Sequence, residues 1–406
     1  MRPLRFCMVT TFYPPYSFGG DAIFVEHLSR ALVARGHAVD VVHNVEAHRV
    51  LGGRADAPSP PLEGLTVHSL RSPLGALSPL LTHQLGRPVG FDRTIRRLLA
   101  QPFDVVHFHN ASLMGAPRIF AYGRGVKLYT THEAWLVCPT HTLFRFDRAP
   151  CQRRHCVTCS LVHRRPPQWW RYTGMLRRAL PHLDAVISPS RSNIEIHRAR
   201  GASIPFAHLP NFVPAGAADG DSAAPAPVAR PYFLYVGRLE RLKGPQTLLP
   251  LFARFAEADL RIAGSGALEG ELRRQAPASG VTFLGQQSPE ALRRLYREAV
   301  AVIVPSLCYE VFPLVVLEAL RDRTPVLVRN RGALSEIALE SGGGWVWNDE
   351  QELAAQMRRL LGDTALRRQL GDAGHAFARA NWSVERHLER YFELIAELAA
   401  RGRPAA

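Results

Sequence analysis

Two glutamates eight residues apart, Glu310 and Glu318, bracket the apolar run of the segment EVFPLVVLE. Phe312, Pro313, Leu314 and Val315 open that run, and Pro313 suits a first helical turn, where its missing N–H costs nothing. A helix starting there leaves backbone N–H groups free near Phe312 to Val315, a cradle for phosphate oxygens. Glu310 then lies in the loop before the cradle, and Glu318 about a turn and a half inside the helix. One carboxylate can meet a sugar beyond the phosphates while the other meets a ribose behind them. Two ordinary surface acids would show the same spacing, so the weight falls on what surrounds them.

The segment YFLYVG (232–237) reads as a strand opening into GRLERLKG, with Gly237, Arg238, Lys243 and Gly244. A strand's carboxyl end feeding a glycine-containing loop is where α/β sheets bind ligands. Arg238 and Lys243 bring two positive charges to a diphosphate, and the same charges stabilise a phosphate leaving group. All but two of the 50 cations are Arg, so compositional drift does not account for a lysine at 243. The competing reading is a basic surface turn. IAGSGALEGEL (262–272) is a further strand, glycine loop and helix start, with Gly264 at the bend; a tight turn fits it equally well. In the first half, FYPPYSFGG places Gly19 and Gly20 between a strand and a helix, where backbone can approach a ligand without a Cβ in the way. YTTHEAW ends a strand at His132, and a histidine there can orient or protonate a hydroxyl. With 17 histidines in the chain, a structural role competes.

These residues need a scaffold of strand ends. At 406 residues, 47% of them hydrophobic, the chain is long enough for two domains. Residues 5–10, 38–43, 104–109, 127–132 and 185–190 read as buried strands alternating with helices, one of them over 21–35. Ile23, Val25, Leu28, Leu32 and Val33 form its stripe and Gly36 its C-cap. The small, Pro-rich stretch 214–230 is a linker, and its Asp219-Gly220-Asp221 lacks the apolar surroundings of a metal site. Alternation restarts with strands at 232–237, 260–266, 281–285, 301–306, 325–330 and 344–347, and a helix closes the chain from Val384 to Ala400. The expectation is α/β: a first domain over 1–213, a second over 231–381 and a terminal helix and tail over 382–406, with parallel sheets covered on both faces.

Taken together, the chain resembles the family 4 glycosyltransferases of GT-B type. The likeness rests on the diglycine, DVVHFHN, THEAW, SPS (188–190), LPNFV, VGRLERLKG, GSG, the Glu-x7-Glu segment and NWS before the last helix. It implies two Rossmann-like domains facing across a cleft, with acceptor on the first, nucleotide sugar on the second and the terminal helix crossing back. It implies a retaining hexosyl transfer to a glycan or lipid-linked acceptor, without a catalytic metal or cofactor and without nucleic acid. By the same likeness Arg238 and Lys243 match the diphosphate-binding pair, Glu318 the ribose carboxylate and Glu310 the residue touching the transferred sugar. Gly20 matches the loop near the diphosphate, and His132 the histidine near the sugar's 6-position. One departure is Ala333 after Gly332, where relatives often carry a second glycine before the acid, here Glu336.

Four of six cysteines, Cys138, Cys151, Cys156 and Cys159, fall in an insert at about 138–160 and fit either a structural zinc or a loop of reduced thiols. His141 and His155 are alternative ligands. Cysteine-bearing relatives of the same family carry a similar stretch after HEAW. Residues 1–230 hold 27 Lys/Arg against 14 Asp/Glu, an excess of +13; residues 231–406 hold 23 against 21, an excess of +2. Nine arginines between Arg145 and Arg178 accompany Trp169, Trp170 and Tyr172, as at an anionic membrane surface or on a solvated face over core tryptophans. No apolar run approaches the ~20 residues of a spanning helix. The short apolar start reads as a strand, so the expected place is the cytoplasm, or peripherally the membrane's inner face. Two rivals stand beside the transferase: an epimerase or hydrolase on the same fold, and a basic zinc-containing nucleic-acid binder.

Overall fold

The computed structural model describes residues 2–53, 55, 59–214 and 230–401. All but the ends of the expected linker, with Asp219-Gly220-Asp221, lies outside the described residues. The chain forms two compact units, one of residues 1–141, 156–211 and 387–406, the other of 142–155 and 212–386.

In the first unit the strands are β1 (Arg5–Val9), β2 (Ala38–Asn44), β3 (Leu65–Leu70), β4 (Val105–Phe108) and β5 (Val126–Thr130). A short hairpin, β6 (Phe144–Arg145) and β7 (Ala149–Pro150), belongs to the second unit, and β8 (Ala185–Ser188) and β9 (Phe206–His208) complete the first. The sheet is parallel throughout in the order β3-β2-β1-β4-β5-β8-β9. Its middle strands are apolar runs because helices cover both faces; β4 is buried at every residue. The edge strands β3 and β9 are half exposed, so no apolar run marks them in the sequence.

Its helices are α1 (Gly20–Ala34), α2 (Val45–Val50), α3 (Leu77–Leu85), α4 (Asp92–Leu99), α5 (Cys156–Val162), α6 (Met175–Ala179) and α7 (Arg191–Ala199). The buried stripe of α1 is Phe24, Val25, Leu28 and Leu32, with Ile23 and Val33 only half buried. Arg35 is its C-cap, and Gly36 follows at φ +82°, its N–H donating to the Val33 carbonyl. The expected stripe therefore loses Ile23 and Val33 and gains Phe24, and the expected cap moves by one position.

The second unit carries β10 (Tyr232–Val236), β11 (Asp259–Ala263), β12 (Val281–Gly285), β13 (Val302–Val304), β14 (Val326–Arg329) and β15 (Gly344–Trp347). They form a parallel sheet in the order β12-β11-β10-β13-β14-β15. Around it lie α8 (Leu249–Phe252), α9 (Glu269–Gln275), α10 (Pro289–Glu298), α11 (Leu314–Arg321), α12 (Ala333–Ser341), α13 (Glu350–Gly362) and α14 (Thr364–Asn381). Tyr232 and Leu234 belong to one apolar cluster and Phe233 and Tyr235 to another, as alternation across a sheet requires. The last helix, α15 (Val384–Arg401), belongs to the first unit from His387 onward. There Tyr391 OH meets His107 Nδ1 at 2.8 Å, and His387 Nδ1 donates to the Pro210 carbonyl at 2.7 Å. Among the described residues no helix is long and apolar enough to cross a membrane.

Candidate active site

β10 pairs with β11 on one side and β13 on the other, so the strand order reverses beside it. Such a reversal opens a crevice at the strands' carboxyl ends. Two loops meet there, Gly237–Gly244 after β10 and Pro305–Pro313 after β13. Leu307 and Cys308 both donate backbone N–H groups to the Leu242 carbonyl, at 2.8 and 3.2 Å. Gly244 has φ +78°, and a Cβ there would fall 2.2 Å from the Pro305 carbonyl oxygen. Only glycine lets the loops close this far.

That closure brings Lys243 to Glu310. Lys243 Nζ lies 2.7 and 2.9 Å from the two carboxylate oxygens, and Ser306 Oγ donates to Oε1 at 2.6 Å. The side chains are 24% and 12% exposed, so the pair is set into the crevice wall with one side open to water. Burial alone would raise the Glu310 pKa, but Lys243, Ser306 and Arg238 together hold it below the usual carboxylate range. Burial alone would lower Lys243; Glu310 outweighs it and raises the pKa. Both groups are charged at neutral pH. Arg238 acts on both through space but donates its own Nη1 to Glu240 Oε1 at 2.7 Å. Each expected cation is thus matched by a carboxylate. The neighbouring Cys308 thiol is pushed up to about 12, chiefly by burial and then by Glu310, so it is no nucleophile.

α11 begins at Leu314, with Pro313 as its N-cap rather than inside the first turn, and no side chain caps it. Its first N–H groups, Leu314 and Val315 among them, therefore lack a side-chain acceptor. The ring of Phe312 turns to the core, edge-on to Trp382 at 5.6 Å, so Phe312 offers only backbone to a ligand. Glu318 is the fifth residue of α11 and accepts from Tyr296 OH at 2.7 Å. Burial raises the Glu318 pKa, with the Tyr296 hydrogen bond opposing.

Gly264 holds the third wall. Its N–H donates to the Gly285 carbonyl at 2.8 Å, while Gly237 N–H donates to Ala263 at 3.0 Å and Leu239 N–H to Ser265 at 2.9 Å. Its φ is +133°, and a Cβ would stand 2.0 Å from the Gly237 carbonyl oxygen. Gly264→Ala is expected to destabilise the protein by about 3 kcal/mol through that backbone contact and the disfavoured φ. Urea denaturation of the variant measures it, and an unchanged midpoint would show that the loops do not depend on this approach.

Gly19, Gly20 and His132 lie on the first unit. Gly19 caps α1 at φ −178°, an extended conformation open to any residue; the first atom a Cβ would meet is Asp21 Oδ1, at 3.9 Å. Glycine there leaves space rather than relieving strain. His132 follows β5, its Nε2 2.9 Å from His109 Nδ1, and Phe24 lies against the ring at 5.6 Å. Burial lowers its pKa against the pull of Asp21 and Glu133, so it is neutral at pH 7. Asp21 is itself fixed by Asn110 Nδ2 at 3.0 Å.

The cysteines are not brought together. Among the described residues no three His, Cys, Asp or Glu groups gather as metal ligands. Cys138 Sγ lies 3.3 Å from Thr140 Oγ1, Cys151 Sγ donates to the Arg153 carbonyl at 3.4 Å, and Cys156 and Cys159 sit on α5. Of the alternative ligands, His141 Nδ1 is 2.7 Å from Glu133. Of the two readings of the insert, zinc site or reduced thiols, neither is singled out by this geometry, which holds thiols without a ready-made ligand set among the described residues. Sequence reasoning passed over Ser306, Tyr296 and His109. Ser306 carried a signal, being a hydroxyl at a strand's carboxyl end four residues before Glu310.

Residues 18–216 match the family model for "Glycosyltransferase Family 4" and residues 221–377 that for "Glycosyl transferases group 1". An uncharacterized glycosyltransferase of Methanocaldococcus jannaschii is 37% identical over 143 residues, 33% of this chain. A glycogen synthase of Mycobacterium tuberculosis is 27% identical over 402 residues, 89% of this chain. The chain spans 36% of the archaeal relative's length and 87% of the mycobacterial one's. In fold it is similar to a sucrose-phosphate synthase of Thermosynechococcus elongatus, TM-score 0.75 at 23% identity, covering 98% of this chain and 100% of that one. With two parallel α/β sheets and both models matched in succession, the chain belongs to the family 4 glycosyltransferases of the GT-B fold.

Proposed function

We propose that this chain transfers a hexose-type sugar from a nucleoside diphosphate sugar to a hydroxyl of a glycan or lipid-linked glycan, with retention and without a catalytic metal. The observation that carries the reading is the Lys243–Glu310 pair at the strand-order reversal, beside an uncapped helix start. The diphosphate takes the α11 N-terminus, where free N–H groups and the helix dipole favour anions. Lys243 and Arg238 turn from their carboxylates to the phosphate oxygens and offset the charge that develops as the bond from C1 to phosphate oxygen breaks. Glu310, so released, accepts hydrogen bonds from the transferred sugar and positions it. The acceptor oxygen bonds to C1 on the face the leaving group quits, and its proton passes to a diphosphate oxygen. Glu318 accepts from the ribose hydroxyls. On the first unit, neutral His132 is suited to hydrogen-bonding a hydroxyl, and Gly19 and Gly20 leave backbone open to a ligand.

Two protein cations supply the charge neutralisation that a metal supplies elsewhere, so turnover is expected to survive chelator treatment. The test is a panel of nucleotide sugars incubated with and without glycan acceptors, the product's anomeric configuration being read by NMR. Release of nucleoside diphosphate should depend on the acceptor. Equal turnover without any acceptor would assign the site to hydrolysis or epimerisation instead.

A further inference from the structure

α3 is built inside out. Ser78, Pro79 and Thr82 face inward and are buried, while Leu77, Leu80, Leu81 and Leu85 face water, Leu77 being 58% exposed. The inner face is pinned by polar bonds: Ser78 Oγ donates to the Val89 carbonyl at 2.6 Å and Thr82 Oγ1 accepts from Val89 N–H at 3.2 Å. The helix end is fixed by Trp170, whose Nε1 donates to the His83 carbonyl at 2.9 Å. On either side of that anchor Trp169 and Tyr172 stand outward, 59% and 62% exposed, with their rings 6.3 Å apart. Four leucines, a tryptophan and a tyrosine thus lie uncovered on one neighbourhood of the first unit, more apolar area than an isolated surface residue explains.

Val89, which holds α3, also lines a cavity of about 550 Å³ together with Arg87, Arg96, Arg118, Asp92 and Met175. Arg96 is committed to Asp92 at 2.8 Å and stacks on Tyr122 at 3.9 Å, whereas Arg87 and Arg118 are exposed at the rim. The surrounding segments are one-signed. Exposed Arg71, Arg87, Arg93, Arg96 and Arg97 in 71–99 and Arg164, Arg165, Arg177 and Arg178 in 161–178 stand against the single acid Asp92, while Arg171 turns inward onto Trp135 and Trp170.

We propose that this face docks on an anionic phospholipid bilayer, with the α3 leucines and Trp169 entering the interface and a lipid phosphate held at Arg87 and Arg118. An apolar helix face flanked by amphipathic aromatics and arginines suits the boundary between headgroups and acyl chains. A second copy of the chain is a poor occupant, because a two-fold contact sets each patch against its own image and brings the arginines together. The proposal is independent of the donor-site reading, since lipid binding can be measured without sugar transfer.

The test is flotation of the full chain with vesicles of phosphatidylcholine alone and of equal parts phosphatidylcholine and phosphatidylglycerol. Binding is expected only to the anionic vesicles. Leu77→Glu/Leu81→Glu and Arg87→Glu/Arg118→Glu should each weaken it roughly thirty-fold. These side chains are exposed, so both variants should keep the parent's melting temperature and its donor turnover in detergent-free buffer. Binding to neither vesicle overturns the proposal, as does binding that survives the leucine variant. A concentration-dependent dimer abolished by the leucine variant would do so too, by giving the face to a second copy.

Discussion

Lys243→Ala is expected to lower kcat/KM for the nucleotide sugar by roughly a thousand-fold, the scale of removing one preorganised charge from a transition state. The same substitution strands Glu310, whose side chain is 12% exposed, with Ser306 and Arg238 as its remaining neighbours. Breaking a buried ion pair costs about 3–5 kcal/mol; with Lys243 open to water on one side, about 2 kcal/mol is expected here. The two losses separate by pH and by a second substitution. In the parent, Glu310 has a depressed pKa, so its contribution to stability is present above the ordinary carboxylate value and is lost as pH falls through the folded value. Without Lys243 burial dominates and the pKa rises, so the penalty is largest at neutral pH and shrinks on acidification. Lys243→Ala/Glu310→Gln should recover most of the stability and none of the turnover. Turnover recovered by the double variant would mean that Lys243 serves only to neutralise Glu310, and the assignment of its charge to the diphosphate would fail.

The difference between these residues and their partners explains what the sequence could disclose. Gly237 to Gly244 follows β10 directly and Glu310 to Glu318 leads from the loop after β13 into α11; in both, an apolar strand gives way to polar and charged residues, so the loops can be placed from the chain alone. Tyr296 precedes Glu318 by 22 residues and reaches it from α10, and no local pattern records the packing of one helix on another. His109 reaches His132 in the same way, across neighbouring strands β4 and β5. Edge strands β3 and β9 escape because only one side is covered and their burial follows no run. The cysteine insert marks a different limit. Cys-x2-Cys spacing names a ligand chemistry and on α5 sets two thiols about a helical turn apart, but it does not say where the turns carrying Cys138 and Cys151 lie. In α3 an apolar stripe states that the helix has one greasy face and is silent on whether protein covers it.

Glu318→Gln should move stability and function in opposite directions. Burial raises the pKa of this carboxylate, so the folded state holds its proton more tightly than the unfolded chain does. The resulting stabilisation is present below the ordinary value of 4.5 and is lost as pH rises through the raised value; at neutral pH the ionised group is a burden on the fold. An uncharged isostere removes that burden and still accepts from Tyr296 OH, so at pH 7 the variant should melt no lower than the parent. On the proposed reading the carboxylate is the useful form for the donor, because a full charge accepts two ribose hydroxyls better than an amide does. Glu318→Gln is therefore expected to raise KM for the nucleotide sugar roughly thirty-fold while leaving kcat within a few-fold, the pattern of binding lost equally from ground and transition states. Donor affinity of the parent should fall on acidification at a pH above 4.5, and Tyr296→Phe should move that fall upward, since the hydrogen bond it removes favours the ionised carboxylate. Steady-state kinetics of the three proteins across pH decide the matter. A Glu318→Gln enzyme that keeps the parent's acid limb would show that another group titrates there and that the carboxylate does not meet the ribose.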